Sequence, residues 1–282
     1  MSWIVVLTLV FSPFLGGLLF GIDRKITARL QGRKGPPIIQ PFYDFVKLWN
    51  KETSYTNRRQ VFFLYSYLVW MLVSLVFLVT GQDFLLFIFV LAFSEVSLVL
   101  AGFSTRSPYS HIGSSRELLQ ILAAEPVLLF LAFALYLSNG SFLSTGVFLS
   151  PPLLFTYPLL FIAVLMILTI KMRKSPFDLS SSAHAHQELV RGVSTEFSGK
   201  YLALTEAAHW IELVIFLLIV YMFWANPWWG GLIIALAAYF LELVIDNVYA
   251  RMTPRWMVKV TWAWGIGLSL INFLYVVFVP RT

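Results

Sequence analysis

The chain contains no cysteine, which excludes disulfides, thiolate-bound zinc and thiolate-bound iron–sulfur clusters within it. Charge is scarce as well. Only 12% of the 282 residues are Asp, Glu, Lys or Arg, against about 25% in ordinary soluble domains. Phosphate-binding glycine loops and nucleophile constellations are missing, and so is the alternation that marks a membrane β-barrel. Histidine is limited to His111, His184, His186 and His209. Of these only His209 lies in a long apolar stretch, whereas a transmembrane b-type haem needs paired axial histidines on facing helices. His184 and His186, close to Glu188, read as polar loop contacts rather than metal ligands. No catalytic residue and no metal site is therefore assigned to this chain.

What is present is mostly apolar: 59% of the residues are hydrophobic and the mean hydropathy is +0.80. A soluble fold could not hide this much apolar surface; lipid does not require it to be hidden. A helix needs roughly 20 apolar residues to cross a bilayer. Eight such stretches stand out, at 2–22, 61–80, 84–103, 118–137, 152–170, 201–224, 229–249 and 256–279. Backbone groups cannot stay unpaired in lipid, so these stretches should be helices. The expected fold is an all-α polytopic membrane protein, one membrane domain over residues 1–282, without internal repeats.

The basic residues add an orientation. Of 20 Lys and Arg, 19 fall in or beside the first, third, fifth and seventh connections. Eight spans put all four on one side, and the positive-inside rule makes that side cytoplasmic, with both termini outside. These patches sit beside the spans, so nucleic acid is not needed to explain them; anionic lipid or an acidic partner suffices.

Two connections look ordered. In the first, Gly35-Pro36-Pro37 breaks a helix and Gln40-Pro41 starts another, since proline is well tolerated at a first helical position. Phe42, Phe45, Val46 and Trp49 then share one face, with Asp44, Lys47, Asn50 and Lys51 opposite. This predicts an amphipathic helix over about 41–51, lying in the interface plane. With Arg24, Arg29 and Arg33 nearby, it reads as a docking ledge. The fifth connection, 171–200, keeps Phe, Leu and Val among its polar residues, and loops this long are usually functional or disordered.

Acids inside spans are functional candidates by default. Glu95 sits mid-span. Glu125 precedes Pro126, with Glu117 and Gln120 one to two turns earlier. Glu206 and Glu212 flank His209 in the sixth stretch. Tyr239, Glu242, Asp246 and Tyr249 form a polar seam in the seventh. No basic residue lies deep in these stretches, so a proton or a mobile cation is the expected counter-charge.

Three segments carry a resemblance: ARLQGRKGPPIIQPFYDFVKLWNKE, AGFSTRSPYSHIGSSRELLQILAAEP and SPFDLSSSAHAHQELVRGVSTEFSGKYLALTEAAHWIEL. In this order they resemble the NuoH family, the eight-span subunit that joins the peripheral arm of respiratory complex I to its membrane arm. Complex I members have several acids after the PFD motif, where this chain has Ser180–Ser182 and His184–Glu188. That departure, the shorter length and the run 202–212 look more like the membrane subunit of Ech-type energy-converting [NiFe]-hydrogenases. The resemblance implies no cofactor in this chain. It implies a [NiFe] centre and iron–sulfur clusters in partners: a hydrogenase large subunit, a small iron–sulfur subunit and a ferredoxin-like subunit. It also implies an antiporter-like membrane neighbour and a place in a prokaryotic plasma membrane. Glu95, Glu117, Glu125, Glu206, Glu212, Glu242 and Asp246 become ion-coupling residues, and Asp178, His184, His186, Glu188 and Glu196 become loop-side links. A quinone-binding complex I subunit is the nearest rival. A stand-alone secondary transporter is another; it predicts inverted repeats and broken spans, and the sequence displays neither.

Overall fold

The computed structural model describes residues 2–54, 57–148, 151–180 and 191–278. Its elements are α1 (Ser2–Leu30), α2 (Gln40–Trp49), α3 (Arg58–Val79), α4 (Phe84–Phe103), α5 (Pro108–Asn139), α6 (Leu153–Thr156), α7 (Pro158–Lys171), α8 (Gly199–Met222), α9 (Trp228–Val248), α10 (Pro254–Val260) and α11 (Gly267–Phe278). A π-helical stretch, Thr261–Ile266, joins α10 to α11 into one continuous rod. Among the described residues seven helices are long and apolar enough to cross a membrane, and they correspond to seven of the eight expected stretches.

The fifth stretch departs from expectation. It is a broken span: the four-residue α6 ends at Thr156, Tyr157 stands between, and Pro158 begins the 14-residue α7. At 1.5 Å per residue α7 is about 21 Å long, short of a hydrocarbon core of about 30 Å. The break leaves helix-start N–H groups without helical partners, and Asn272 of α11 supplies them. Its Oδ1 accepts from the amides of Leu159 (2.8 Å) and Leu160 (3.2 Å), and its Nδ2 donates to the Thr156 carbonyl at 3.1 Å. A single buried amide thus satisfies the irregular backbone, which lipid would otherwise forbid.

Packing runs α3 on α4, α4 on α5, and α1 and α3 on α8. The α1–α8 approach is close enough that a Cβ at Gly16 would meet the Trp210 carbonyl oxygen at 2.2 Å, the small-residue contact usual between membrane helices. The first, third, fifth and seventh connections meet at one end of the bundle. Ser54 Oγ bonds Ser198 Oγ at 2.9 Å, Asn57 Nδ2 donates to the Ser104 carbonyl at 3.2 Å, and Arg251 Nε donates to Asp178 Oδ2 at 2.7 Å. At the opposite end Phe84 N donates to the Phe142 carbonyl and Leu154 N to that of Phe223. The four basic connections therefore share an end, as the charge pattern requires.

The amphipathic helix forms where expected, as α2, but it packs on protein. Phe42 lies 5.4 Å from the Trp210 ring and 6.0 Å from that of Phe14, and Phe45 lies 5.7 Å from Trp210. Asp44 is held by Arg24 at 2.8 Å and by Gln40 at 2.9 Å. Tyr43, Val46, Lys47, Trp49 and Lys51 stay exposed, as do Arg29 and Arg33.

Candidate ion-coupling site

The expectation that no basic residue reaches the buried acids is wrong. The run Lys171-Met172-Arg173-Lys174 turns back into the bundle. The cause lies at the end of α7. Arg173 N donates to the Ile170 carbonyl and Lys174 N to that of Thr169, and Arg173 has φ 52°. This is the Schellman close of a helix, in which the left-handed position normally belongs to glycine. A non-glycine residue there costs roughly 1–2 kcal/mol, so the surroundings must hold it. The left-handed turn lets the side chains of 171, 173 and 174 diverge to different helices.

Each cation meets acids. Lys171 Nζ pairs with Glu95 of α4, both nearly sealed from solvent. The Arg173 guanidinium is 3.0 Å from Glu117 Oε1 of α5 and 3.7 Å from Glu212 Oε2 of α8. Lys174 Nζ is 3.0 Å from Asp23 Oδ2 of α1, with Lys174 only 1% exposed at its side chain. Burial opposes the charged guanidinium, yet Glu117 and Glu212 outweigh it and hold Arg173 above the usual arginine range.

Polar groups extend the Arg173 cluster. Ser180 Oγ donates to Glu117. Tyr67 Oη lies 2.9 Å from His209 Nδ1 and 3.4 Å from Glu212 Oε2, and Arg173 Nη1 lies 2.9 Å from the same His209 nitrogen. The same Nη1 also contacts His209 Nε2, and because a guanidinium can only donate, the ring nitrogen it bonds is the acceptor. Helix positions give the depth. Glu95 is eight residues from the end of α4, Glu117 nine from the start of α5, and Glu212 thirteen from the start of α8. At 1.5 Å per residue they lie about 12, 14 and 20 Å in from the basic end.

A second cluster surrounds Lys174. Thr27 Oγ1 donates to Asp23 Oδ1 at 3.2 Å, and Lys174 Nζ stands 5.9 Å from the centre of the Tyr239 ring. Tyr239 Oη donates to the Leu19 carbonyl at 2.5 Å. Glu242 of α9 is fully buried, and neither of its carboxyl oxygens has a hydrogen-bond partner among the described residues; the nearby Thr169 hydroxyl is bonded to the Leu165 carbonyl at 3.2 Å. Asp246 Oδ1 accepts the Ser175 amide at 2.9 Å.

The remaining candidates are more dispersed. Glu125 and Glu206 are half-buried, and Tyr249 at the end of the seam is exposed. Asp178 is buried against Arg251. Burial lifts its carboxyl above the usual range and Arg251 partly offsets this. Glu196 is exposed, and its backbone carbonyl accepts from Gln60 Nε2 at 3.5 Å. His184, His186 and Glu188 lie outside the described residues. Sequence reasoning missed Asp23, Tyr67 and all three cations. Asp23 stands one residue past the expected end of the first span, and α1 continues to Leu30.

With this geometry in hand, comparison with known proteins is informative. A family model described as NADH dehydrogenase matches residues 2–277. Formate hydrogenlyase subunit 4 of Escherichia coli is 28% identical over 91% of this chain and 92% of its own length. Hydrogenase-4 component C of the same organism is 30% identical over 71% and 67%. A subunit of the NADH-quinone oxidoreductase of Helicobacter pylori strain G27 is 29% identical over 96% and 94%. A chain in the structure of the membrane-bound sulfane sulfur reductase, an archaeal respiratory membrane complex, shares the fold. The TM-score is 0.85, over 95% of this chain and 96% of that one at 24% identity. The chain belongs to the NADH dehydrogenase family, as a complex I-like membrane subunit.

Proposed function

We propose that this chain is the membrane connector of an energy-converting [NiFe]-hydrogenase complex, coupling redox chemistry in a soluble arm to movement of H+ or Na+. The observation that carries the reading is the entry of Lys171, Arg173 and Lys174 into the bundle against acids from four helices. Such a run behaves as a unit, because all three cations hang from one ten-residue segment, 171–180. A shift of that segment withdraws counter-charge from buried carboxylates, and a buried carboxylate without its cation favours the protonated form. Returning the segment releases the proton. No electron passes through this chain; the [NiFe] centre and iron–sulfur clusters belong to partner subunits, and an antiporter-like neighbour receives the charge signal. The basic end faces the cytoplasm of a prokaryotic cell and carries the soluble arm on the exposed residues of α2 and on the 171–200 connection. Two relatives with hydrogenase or hydrogenlyase in their names support this assignment, as does the replacement of the acid-rich stretch after Pro176-Phe177-Asp178 by serines and histidines.

The test uses Glu95→Gln and Glu212→Gln in the intact complex. Inside-out vesicles should lose ferredoxin-driven ion uptake, while the detergent-solubilised complex keeps evolving hydrogen. Unchanged uptake in both variants removes the coupling role, and absence of a nickel-containing partner from the purified complex removes the hydrogenase. A quinone-site subunit is the second reading, supported by near-complete alignment with the chain from the H. pylori quinone oxidoreductase. Quinone recovered with the purified complex would favour it.

A further inference from the structure

A groove of about 520 Å³ opens at the basic end between α5 and α10, lined by Ile112, Ser115, Arg116, Leu119, Thr253 and Arg255 among others. It lies apart from the buried ion pairs, and the coupling scheme does not use it. Its chemistry is mixed in a particular way. The rim carries two guanidinium groups. Arg116 Nη1 donates to the Leu179 carbonyl at 3.3 Å, which fixes its charge in the inner wall. Arg255 is exposed, and its side chain makes no hydrogen bond or ion pair among the described residues. Thr253 Oγ1 accepts from Trp256 N at 3.4 Å, leaving its own O–H to donate outward. The walls are apolar: Ile112 is 46% and Leu119 38% exposed.

The height of the groove is also marked. Trp256, 61% exposed, follows Arg255, and Lys259 Nζ stands 5.6 Å from the centre of its ring. Exposed tryptophan and a lysine folded over it are the signature of the membrane–water interface. The mouth at Thr253 and Arg255 therefore lies at headgroup level, and Leu119, two turns further into the bundle than Ile112, gives an aliphatic wall for what hangs below it.

We propose that the α5–α10 groove binds the phosphodiester headgroup of an anionic glycerophospholipid, with Arg255 as the principal phosphate contact, Thr253 assisting at the mouth, Arg116 assisting from deeper in the wall, and an acyl chain lying along Leu119. Basic pockets between spans on the cytoplasmic side are the recurring form of such sites. A free phosphate has no use for the aliphatic walls, and an acidic protein segment has none for an opening at headgroup depth.

The complex is reconstituted in nanodiscs containing phosphatidylcholine with a minor share of phosphatidylglycerol, and retained lipid is counted by native mass spectrometry. Wild type should retain phosphatidylglycerol. R255Q should retain it about fivefold more weakly and R116Q/R255Q about thirtyfold more weakly. R58Q/R59Q, at the same end but away from the groove, should match wild type. R255Q leaves the Arg116–Leu179 bond in place, so the single variant reads the site even if the double variant misfolds. Equal retention in wild type and R255Q overturns the proposal, as does loss of a protein subunit rather than lipid. Displacement of spin-labelled phosphatidylglycerol by inorganic phosphate alone overturns the lipid as the source.

Discussion

Two basic regions of this molecule are built from the same side chains and meet opposite fates. Between Arg24 and Arg59 stand nine Lys and Arg, and none of them is buried. Their best-defined pair, Arg24–Asp44, has side chains 41% and 43% exposed. In the run 171–174 all three cations are drawn inside, and the Lys171 and Lys174 side chains are 7% and 1% exposed. The difference is not one of residue type. Burying a charge costs several kcal/mol unless a partner and further hydrogen bonds compensate. Around 171–174 the short α7 ends within reach of Glu95, Glu117, Glu212 and Asp23; around 24–59 Arg24–Asp44 is the one ion pair among the described residues, and water solvates the exposed remainder. The lesson is that acid supply and helix length decide where a lysine goes.

The largest effect is expected at Arg173, which two buried carboxylates share. R173Q strands both, which should cost about 3–5 kcal/mol and show as a lower thermal unfolding midpoint in detergent and poor recovery of the assembled complex. R173K should recover part of this. Wild-type stability in R173Q would break the comparison. Next comes N272L, which frees two amides and a carbonyl at the α6–α7 break. About 2–4 kcal/mol should be lost, with faster proteolysis near residue 157; protection unchanged from wild type would detach the cations' position from that clasp.

A smaller and more diagnostic effect separates pairing from burial. K171M alone leaves Glu95 buried and unpaired, whereas K171M/E95Q removes both charges. The double variant should be more stable than K171M, with a coupling of about 0.5–3 kcal/mol in a thermal double-mutant cycle. Additivity would mean that Lys171 and Glu95 do not act as a pair. The smallest effect belongs to the exposed side: R24Q should change stability by less than about 1 kcal/mol, read in the same melt. A loss as large as that of R173Q would erase the distinction between the two regions.

The spans were legible because lipid leaves hydropathy as the dominant signal, and seven long helices fall where apolar stretches predicted them. The Gln40–Trp49 helix was legible from its proline start and 3.6-residue period. Three features were not. The broken fifth span hides because Tyr157-Pro158 reads as an ordinary helix start, and its repair comes from Asn272, 114 residues away. The inward turn of 171–174 hides because the positive-inside rule counts every loop cation as wetted, and because arginine occupies a position where glycine would have announced the turn. Asp23 hides because the span was ended at 22, where charge begins. One signal was available: at least six acids in spans without a visible partner call for cations from somewhere, and a Lys-x-Arg-Lys run at a helix end is the nearest supply.

The depth of these pairs has an electrical consequence. Glu95, Glu117 and Glu212 lie roughly 12–20 Å below the basic end, inside the region across which a membrane voltage falls. Moving one elementary charge through the full drop is worth about 2.3 kcal/mol per 100 mV. Displacing Lys171, Arg173 and Lys174 together by a third of that distance would be worth about as much again. On the coupling role proposed above, a shift of the 171–180 segment would therefore do work with or against the membrane potential, and back-pressure from that potential would reach the soluble arm without any contact between them.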